Sequence, residues 1–189
     1  MVAQAALEEL DLDRLIFLPA SQSPFKPGIR PAAGSQRLRW LRMALVGQSR
    51  CCVDAMELER GGTSYTIDTV RAFKELHPGA TLFNLIGADH VPQLPRWRNA
   101  ESLAELVEFV VIPRPGSPPV SLPELYRLRY LRGWPINVSS SEIRERIRQG
   151  LTVHHLVPEA VAEDLSRNVP YGCDETITRA TCHTRGLRE

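Results

Sequence analysis

Three short segments of this 189-residue sequence combine residue types suited to binding phosphate or a small anion. In NVSSSEIRERIRQG, Ser139 and Glu142 have the spacing of a helix capping box. The same helix N-terminus would offer free backbone N–H groups, two hydroxyls (Ser140 and Ser141) and the guanidinium of Arg144 to a phosphate. The local pattern alone favours the cap and leaves the phosphate site open.

The segment GGTSYTIDTV has two glycines that permit a sharp turn, followed by Thr63 or Ser64 as the cap of a helix. One interpretation is a plain junction between a strand and a helix. The other is a site for a small carboxylate, bound by the backbone N–H groups around Tyr65 and Thr66.

In LIGADHVPQLPRW, Gly87 follows a predicted strand and permits close approach of a ligand. Asp89 offers hydrogen-bond acceptors, and Trp97 offers a large stacking surface. A Trp in a proline-containing loop also packs against a core, so packing and recognition both remain open for Trp97.

Strands and helices alternate around these segments. The apolar runs LIFLP, CCVDAMEL, LFNLIG, EFVVIP and WPINV predict strands. Helices are predicted over residues 1–10, from a Ser35 cap, from the Thr63 or Ser64 cap to about residue 76, and over 100–106, 140–149 and from Pro158. This spacing predicts an α/β fold with a doubly wound parallel sheet, which binds ligands beyond the carboxyl ends of its strands.

Composition excludes several classes of protein. A net charge of +1 lacks the excess of positive charge that is typical of proteins that bind nucleic acid or an anionic membrane. No segment approaches the roughly 20 apolar residues of a membrane span. Acidic residues near the start (Glu8, Glu9 and Asp11) disfavour an export signal, so a cytoplasmic protein is expected.

The four cysteines form no C-x-x-C or zinc-type spacing and are interpreted as reduced thiols. No metal site is predicted, because the adjacent His154 and His155 point apart on any regular element. Residues 172–189 have little periodicity and predict a disordered tail.

Five segments in order, LIFLPASQSPFKP, GGTSYTIDTV, LIGADHVPQLPRW, VVIPRPG and VSSSEIRERIRQG, resemble the nicotinate-nucleotide adenylyltransferases. The resemblance runs from residue 1 to about Tyr171 and implies one domain over 1–171 with the Rossmann-like nucleotidyltransferase fold. It also implies adenylyl transfer from ATP to nicotinate mononucleotide, which yields nicotinate adenine dinucleotide and pyrophosphate in NAD biosynthesis. Mg²⁺ is expected to accompany the ATP. No nucleic-acid or membrane partner is implied.

The resemblance also implies roles for individual residues. Lys26 and Arg114 would contact substrate phosphate. The pyridine nucleotide would be held by Tyr65, Thr66, Gly87, Asp89 and Trp97. The ATP would be bound by Ser140, Ser141 and Arg144. Two small departures are Phe25, where many members have His, and Ser141, where Thr is usual.

The large departure is at the start, where the family has a strand and a G-G-T-F-D-P-x-H-x-G-H loop. This sequence opens with MVAQAALEEL, which has the pattern of an amphipathic helix but no capping residue before Val2. We therefore expect Met1 to correspond to an internal methionine of the family's first helix, and the sheet to lack its first strand. The family's histidines are absent from the 189 residues, so no catalytic residue is assigned and weak activity is expected.

Other interpretations remain. A sister enzyme acting on pantetheine phosphate or nicotinamide mononucleotide has less support, because the G-G-T-S-Y-T and G-A-D…W segments are those of the nicotinate branch. A nucleotide-binding remnant without turnover and an unstable fragment without function also remain open. Pyrophosphate release, compared with ligand-induced melting shifts, separates an enzyme from a binding module.

Overall fold

The computed structural model describes residues 1–25, 31–114, 116, 120, 122–133 and 138–168. Its helices are α1 (Val2–Glu9), α2 (Gly34–Ala44), α3 (Met56–Arg60), α4 (Thr66–Leu76), α5 (Ala100–Leu106), α6 (Ser140–Arg148) and α7 (Glu159–Asn168). Its strands are β1 (Leu15–Phe17), β2 (Cys51–Val53), β3 (Phe83–Gly87), β4 (Glu108–Ile112) and β5 (Leu128–Tyr130). A 3₁₀ segment, Ala88–Arg96, follows β3.

The strands form two parallel sheets, one of β1 and β2 and one in the order β3, β4, β5. Leu15 lies opposite Cys51 in the first sheet, and Phe83 lies opposite Glu108 in the second. Phe109 on the central strand β4 is fully buried, as expected for a parallel strand that is covered on both faces. The prediction of a parallel α/β fold is confirmed.

The chain divides into two compact units, one of residues 1–38 and 47–137 and one of residues 39–46 and 138 onwards. The core of the first unit surrounds β3 and β4 and includes Ile67, Leu94 and Phe109. In the second unit, α6 and α7 pack together with the second half of α2. There the buried Asp164 accepts a hydrogen bond of 2.7 Å from Trp40 Nε1 and pairs with Arg39.

Two local predictions are wrong. The strand predicted over CCVDAMEL ends at Val53, because Asp54 Oδ1 accepts the Met56 N–H at 2.8 Å and the chain enters α3. Ser35 does not cap α2, which begins at Gly34. A Cβ at Gly34 would approach Leu58 Cδ2 to 2.9 Å, so glycine lets the first turn of α2 approach α3 closely.

The helix over 100–106 and the strand over 108–112 lie where they are predicted, and α7 begins directly after Pro158. The predicted strand WPINV falls on residues 134–138, of which 134–137 lie outside the described residues, as does the predicted tail 172–189. Strand β5 was not predicted. No helix among the described residues is both long and apolar enough to cross a membrane.

Candidate active site

The carboxyl ends of β3 and β4 bring together three predicted site residues. Gly87 ends β3, and the 3₁₀ segment that follows places the Asp89 carboxylate beside it. Asp89 Oδ1 lies 3.1 Å from Arg114 Nε. A Cβ at Gly87 would overlap Asp89 Oδ1 and lie 3.6 Å from Arg114 Nε, so a larger residue here would displace the exposed Asp89 carboxylate. Both charged side chains are exposed and accessible to a ligand.

A second group of predicted residues lines one cavity of about 230 Å³. Tyr65 and Thr66 contribute the start of α4, and Trp97 contributes the residue that follows the 3₁₀ segment. The Trp97 ring packs edge-on against Phe109, with centroids 6.4 Å apart, and lies 5.8 Å from the Phe25 ring. Trp97 is half-buried, so it contacts the core and the cavity together.

The predicted cap of α4 is wrong. Tyr65 is the N-cap residue, and no side chain among the described residues caps the helix. Ser64 Oγ accepts the Ser21 N–H at 2.9 Å instead, and Thr63 forms a bridge with Gln22. Because the first N–H groups of a helix have no partner within it, the start of α4 remains available to an anion at the cavity.

Two buried polar atoms near this cavity have no hydrogen-bond partner among the described residues, Trp97 Nε1 and His90 Nδ1. The His90 ring lies 6.4 Å from Trp97 and 6.1 Å from Phe25. Buried polar groups are normally paired, so two such atoms without a partner in the described part of the chain are candidates to bind a ligand. Sequence analysis missed His90, because a single histidine in a loop carries no spacing signal.

Arg98 is a further residue that the sequence analysis missed. Its guanidinium lies over the Tyr65 ring, 4.7 Å from the centroid, and its Nη1 lies 3.4 Å from Asp68 Oδ2. Arg98 also lines the cavity, so it holds the Tyr65 ring at the cavity wall while keeping its charge at the surface.

The second unit contains the predicted serine-rich helix start. Ser139 Oγ accepts the Glu142 N–H at 3.1 Å, which confirms the cap of α6. Arg144 Nη2 donates to Ser141 Oγ at 3.0 Å, and Ser140 and Ser141 are exposed. The cap satisfies one of the free N–H groups at the start of α6. The hydroxyls of Ser140 and Ser141 and the guanidinium of Arg144 lie at the same helix end.

Lys26 lies outside the described residues. Within the described ranges, no group of three His, Cys, Asp or Glu side chains has a geometry that could hold a metal ion. Cys51 and Cys52 are free thiols, and burial raises the pKa of the Cys51 thiol above its usual value. Cys173 and Cys182 are not among the described residues.

Comparisons with known proteins first define the class. Residues 1–146 match the family model described as "Cytidylyltransferase-like". Among solved structures, a nicotinic acid mononucleotide adenylyltransferase of Plasmodium falciparum complexed with NaAD superimposes with a TM-score of 0.69. The match covers 90% of this chain and 88% of that chain at 17% identity, so it supports the fold.

Relatives identified by sequence define the family within this class. The chain is 41% identical over 161 residues to a probable nicotinate-nucleotide adenylyltransferase of Opitutus terrae, covering 84% of this chain and 82% of that protein. It is 36% identical over 179 residues to the protein of the same name from Methylacidiphilum infernorum, covering 93% and 85%. The chain belongs to the nicotinate-nucleotide adenylyltransferase family.

Proposed function

We propose that this chain transfers an adenylyl group from ATP to nicotinate mononucleotide, a step of NAD biosynthesis. The observation that carries the proposal is the 230 Å³ cavity, where an aromatic surface (Trp97) and an uncapped helix start (Tyr65 and Thr66) lie together. A pyridine ring that bears a carboxylate needs both features, a flat apolar surface and a group of N–H donors.

The pyridine ring and the phosphate of nicotinate mononucleotide would bind to two different groups of residues. The pyridine ring would stack on Trp97, with its carboxylate at the start of α4. Arg114 would bind the phosphate, with Lys26 as a second cation. Asp89 would accept hydrogen bonds from the nucleotide while it orients the Arg114 guanidinium through the 3.1 Å contact.

ATP would bind at the start of α6, through the hydroxyls of Ser140 and Ser141 and the guanidinium of Arg144. Two exposed serines and a half-buried arginine at one helix N-terminus match the chemistry of a polyphosphate. Mg²⁺ is proposed as part of the substrate, chelated by the phosphates of ATP, where it reduces their charge.

In the proposed reaction, a phosphate oxygen of nicotinate mononucleotide attacks the α-phosphorus of ATP. The bond between that phosphorus and the oxygen bridging to the β-phosphate breaks, and pyrophosphate leaves with the electron pair. No covalent enzyme intermediate forms, so the protein contributes positioning and neutralisation of charge. The cytoplasm is the proposed location, consistent with ATP as donor and with the free thiols of Cys51 and Cys52.

We expect the chain to bind nicotinate mononucleotide about fivefold tighter than nicotinamide mononucleotide. A charged carboxylate gains about 1 kcal/mol more than a neutral acceptor from N–H donors, and the amide NH₂ would face those donors without an acceptor. Titration calorimetry with both ligands measures the difference. Equal affinities would contradict the placement of the carboxylate at Tyr65 and Thr66.

Pyrophosphate release from ATP, with nicotinate mononucleotide and Mg²⁺ present, tests the reaction itself. Turnover with phosphopantetheine in place of nicotinate mononucleotide would assign the chain to a sister activity. If both nucleotides raise the melting temperature and no pyrophosphate appears, the chain is a binding module and the proposed reaction is wrong.

A further inference from the structure

Phe25 lines the same 230 Å³ cavity as Trp97, and its side chain is otherwise exposed to solvent. The centroids of the two rings lie 5.8 Å apart and their planes are inclined by 39°, so the rings contact each other directly. Both rings border the same empty space. A flat ligand that fills this space therefore contacts both rings, without displacement of either.

A single arginine joins the backbone before Phe25 to the backbone after it. Arg37, in the first half of α2, donates from Nη1 to Ala20 O at 2.5 Å and from Nε to Ala32 O at 2.9 Å. Its Nη2 also donates to Ser21 O at 3.4 Å. Because a guanidinium presents several donors in one rigid plane, one side chain holds carbonyl groups on both sides of Phe25.

Ser64, which directly precedes the N-cap residue of α4, is a second point of attachment. Its Oγ accepts the Ser21 N–H at 2.9 Å, and its own N–H donates to Gln22 O at 2.9 Å. Ser23 Oγ then accepts the Phe25 N–H at 3.3 Å, which closes a local turn. The backbone that leads to Phe25 is thus fixed to the helix start that lines the cavity.

On the basis of the function proposed above, we propose that Phe25 is a second wall for the pyridine ring of the mononucleotide, beside Trp97. Arg37 and Ser64 are positioning residues, which fix the backbone that carries Phe25. An aromatic side chain on an unattached segment must be ordered when a ligand binds, and this ordering reduces affinity. Here the hydrogen bonds order the segment beforehand, so removing them weakens binding even though neither residue contacts the ligand.

The first test needs no ligand. Phe25→Ala removes a ring that lies 5.8 Å from the indole, so we expect it to shift the Trp97 Nε1–H resonance in NMR spectra through the lost ring current. Arg37→Gln should shift this resonance in the same direction, because Phe25 is no longer held. The matched control is Arg42→Gln, which removes an exposed arginine from the same helix and should leave the resonance in place. An unmoved resonance in Phe25→Ala or in Arg37→Gln would overturn the proposal.

The second test is a double-mutant cycle, with the affinity for nicotinate mononucleotide measured by titration calorimetry. We expect Phe25→Ala to weaken binding about three- to tenfold, the range expected for an aromatic contact. Arg37→Gln should weaken binding about threefold when Phe25 is present and less than about 1.5-fold when Phe25 is already alanine, because Arg37 acts through Phe25. We expect ATP affinity to change less than twofold in every variant.

Tighter binding in Phe25→Ala would overturn the proposal, because Phe25 would then compete with the pyridine ring for Trp97. Unchanged binding would overturn it as well. Equal losses from Arg37→Gln with and without Phe25 would show that Arg37 does not act through Phe25, which contradicts its positioning role. If circular dichroism shows that Arg37→Gln is unfolded, Ser64→Ala replaces it in both tests, since it removes the acceptor of the Ser21 N–H.

The two tests also separate this inference from the proposed function. An unsubstituted chain that binds no nicotinate mononucleotide would refute the proposed function, and the contact of Phe25 with the pyridine ring would be refuted with it. The Trp97 resonance would still decide whether Arg37 positions Phe25. A chain that binds the mononucleotide with the same affinity after Phe25→Ala would refute the inference alone.

Discussion

Replacing Trp97 with alanine should weaken the binding of nicotinate mononucleotide by about 5- to 150-fold and leave ATP binding nearly unchanged. Stacking of a base on an aromatic ring is worth about 1–3 kcal/mol, and the pyridine ring is a comparable flat surface. Trp97 lines the 230 Å³ cavity, whereas the residues proposed for ATP belong to the second unit. Titration calorimetry with each nucleotide measures the two affinities separately.

The conservative variant Trp97→Phe is the control for this prediction, because it keeps a stacking surface and removes Nε1, which has no partner within the described ranges. We expect it to retain most of the affinity. Trp97 also packs against Phe109, so circular dichroism must show that the alanine variant is folded at the temperature of titration. A variant that melts early but binds the mononucleotide normally when folded would identify Trp97 as a packing residue.

Replacing Arg144 with alanine should reduce ATP affinity by about 10- to 150-fold. A hydrogen bond to a charged group contributes about 1.5–3 kcal/mol, and a guanidinium is well suited to phosphate. The Arg144 side chain contacts Ser141 Oγ within its own helix, so we expect its removal to change the free energy of unfolding by less than about 0.5 kcal/mol. Calorimetric titration of ATP and urea unfolding measure the two effects.

The matched control is Arg148→Ala on the same helix. It removes the same charge, but Arg148 pairs with Glu145 at 2.8 Å near the other end of α6. We expect ATP affinity to change less than twofold in this variant. Equal losses in the two variants would attribute the effect to net charge, and unchanged binding in Arg144→Ala would leave the segment as a capping box alone.

The fold was predictable where local signals agree. The apolar runs of β3 and β4, and the helix between them, lie close to their predicted bounds because burial and periodicity specify them locally. Strand β5 was missed, since LRY is short and carries a charge. Arg129 is accommodated there because its Nε lies 2.7 Å from Glu108 Oε1 on β4, a contact that no local pattern reveals.

The sequence predicted that some of the candidate residues lie together, but not the geometry in which they do so. Tyr65, Thr66 and Trp97 were selected from their segments, and they do line one cavity. The uncapped start of α4 was not predictable, because the Ser64 hydroxyl is engaged by Ser21, 43 residues earlier in the chain. Contacts between distant segments decide which hydroxyl caps a helix, and a single sequence does not contain them.

The ion pair of Asp89 and Arg114 has a consequence for selectivity among anions. Because the carboxylate lies 3.1 Å from the guanidinium, the charges of these two side chains largely offset each other at long range. The pair therefore adds little to long-range attraction, the component of binding that gathers any polyanion and fades with added salt. In the proposed complex, a phosphate would gain affinity from Arg114 only at contact distance, where it meets the guanidinium N–H groups that Asp89 leaves free. We therefore expect this pair to add little to the attraction of nucleic acid and other large polyanions, even at low ionic strength.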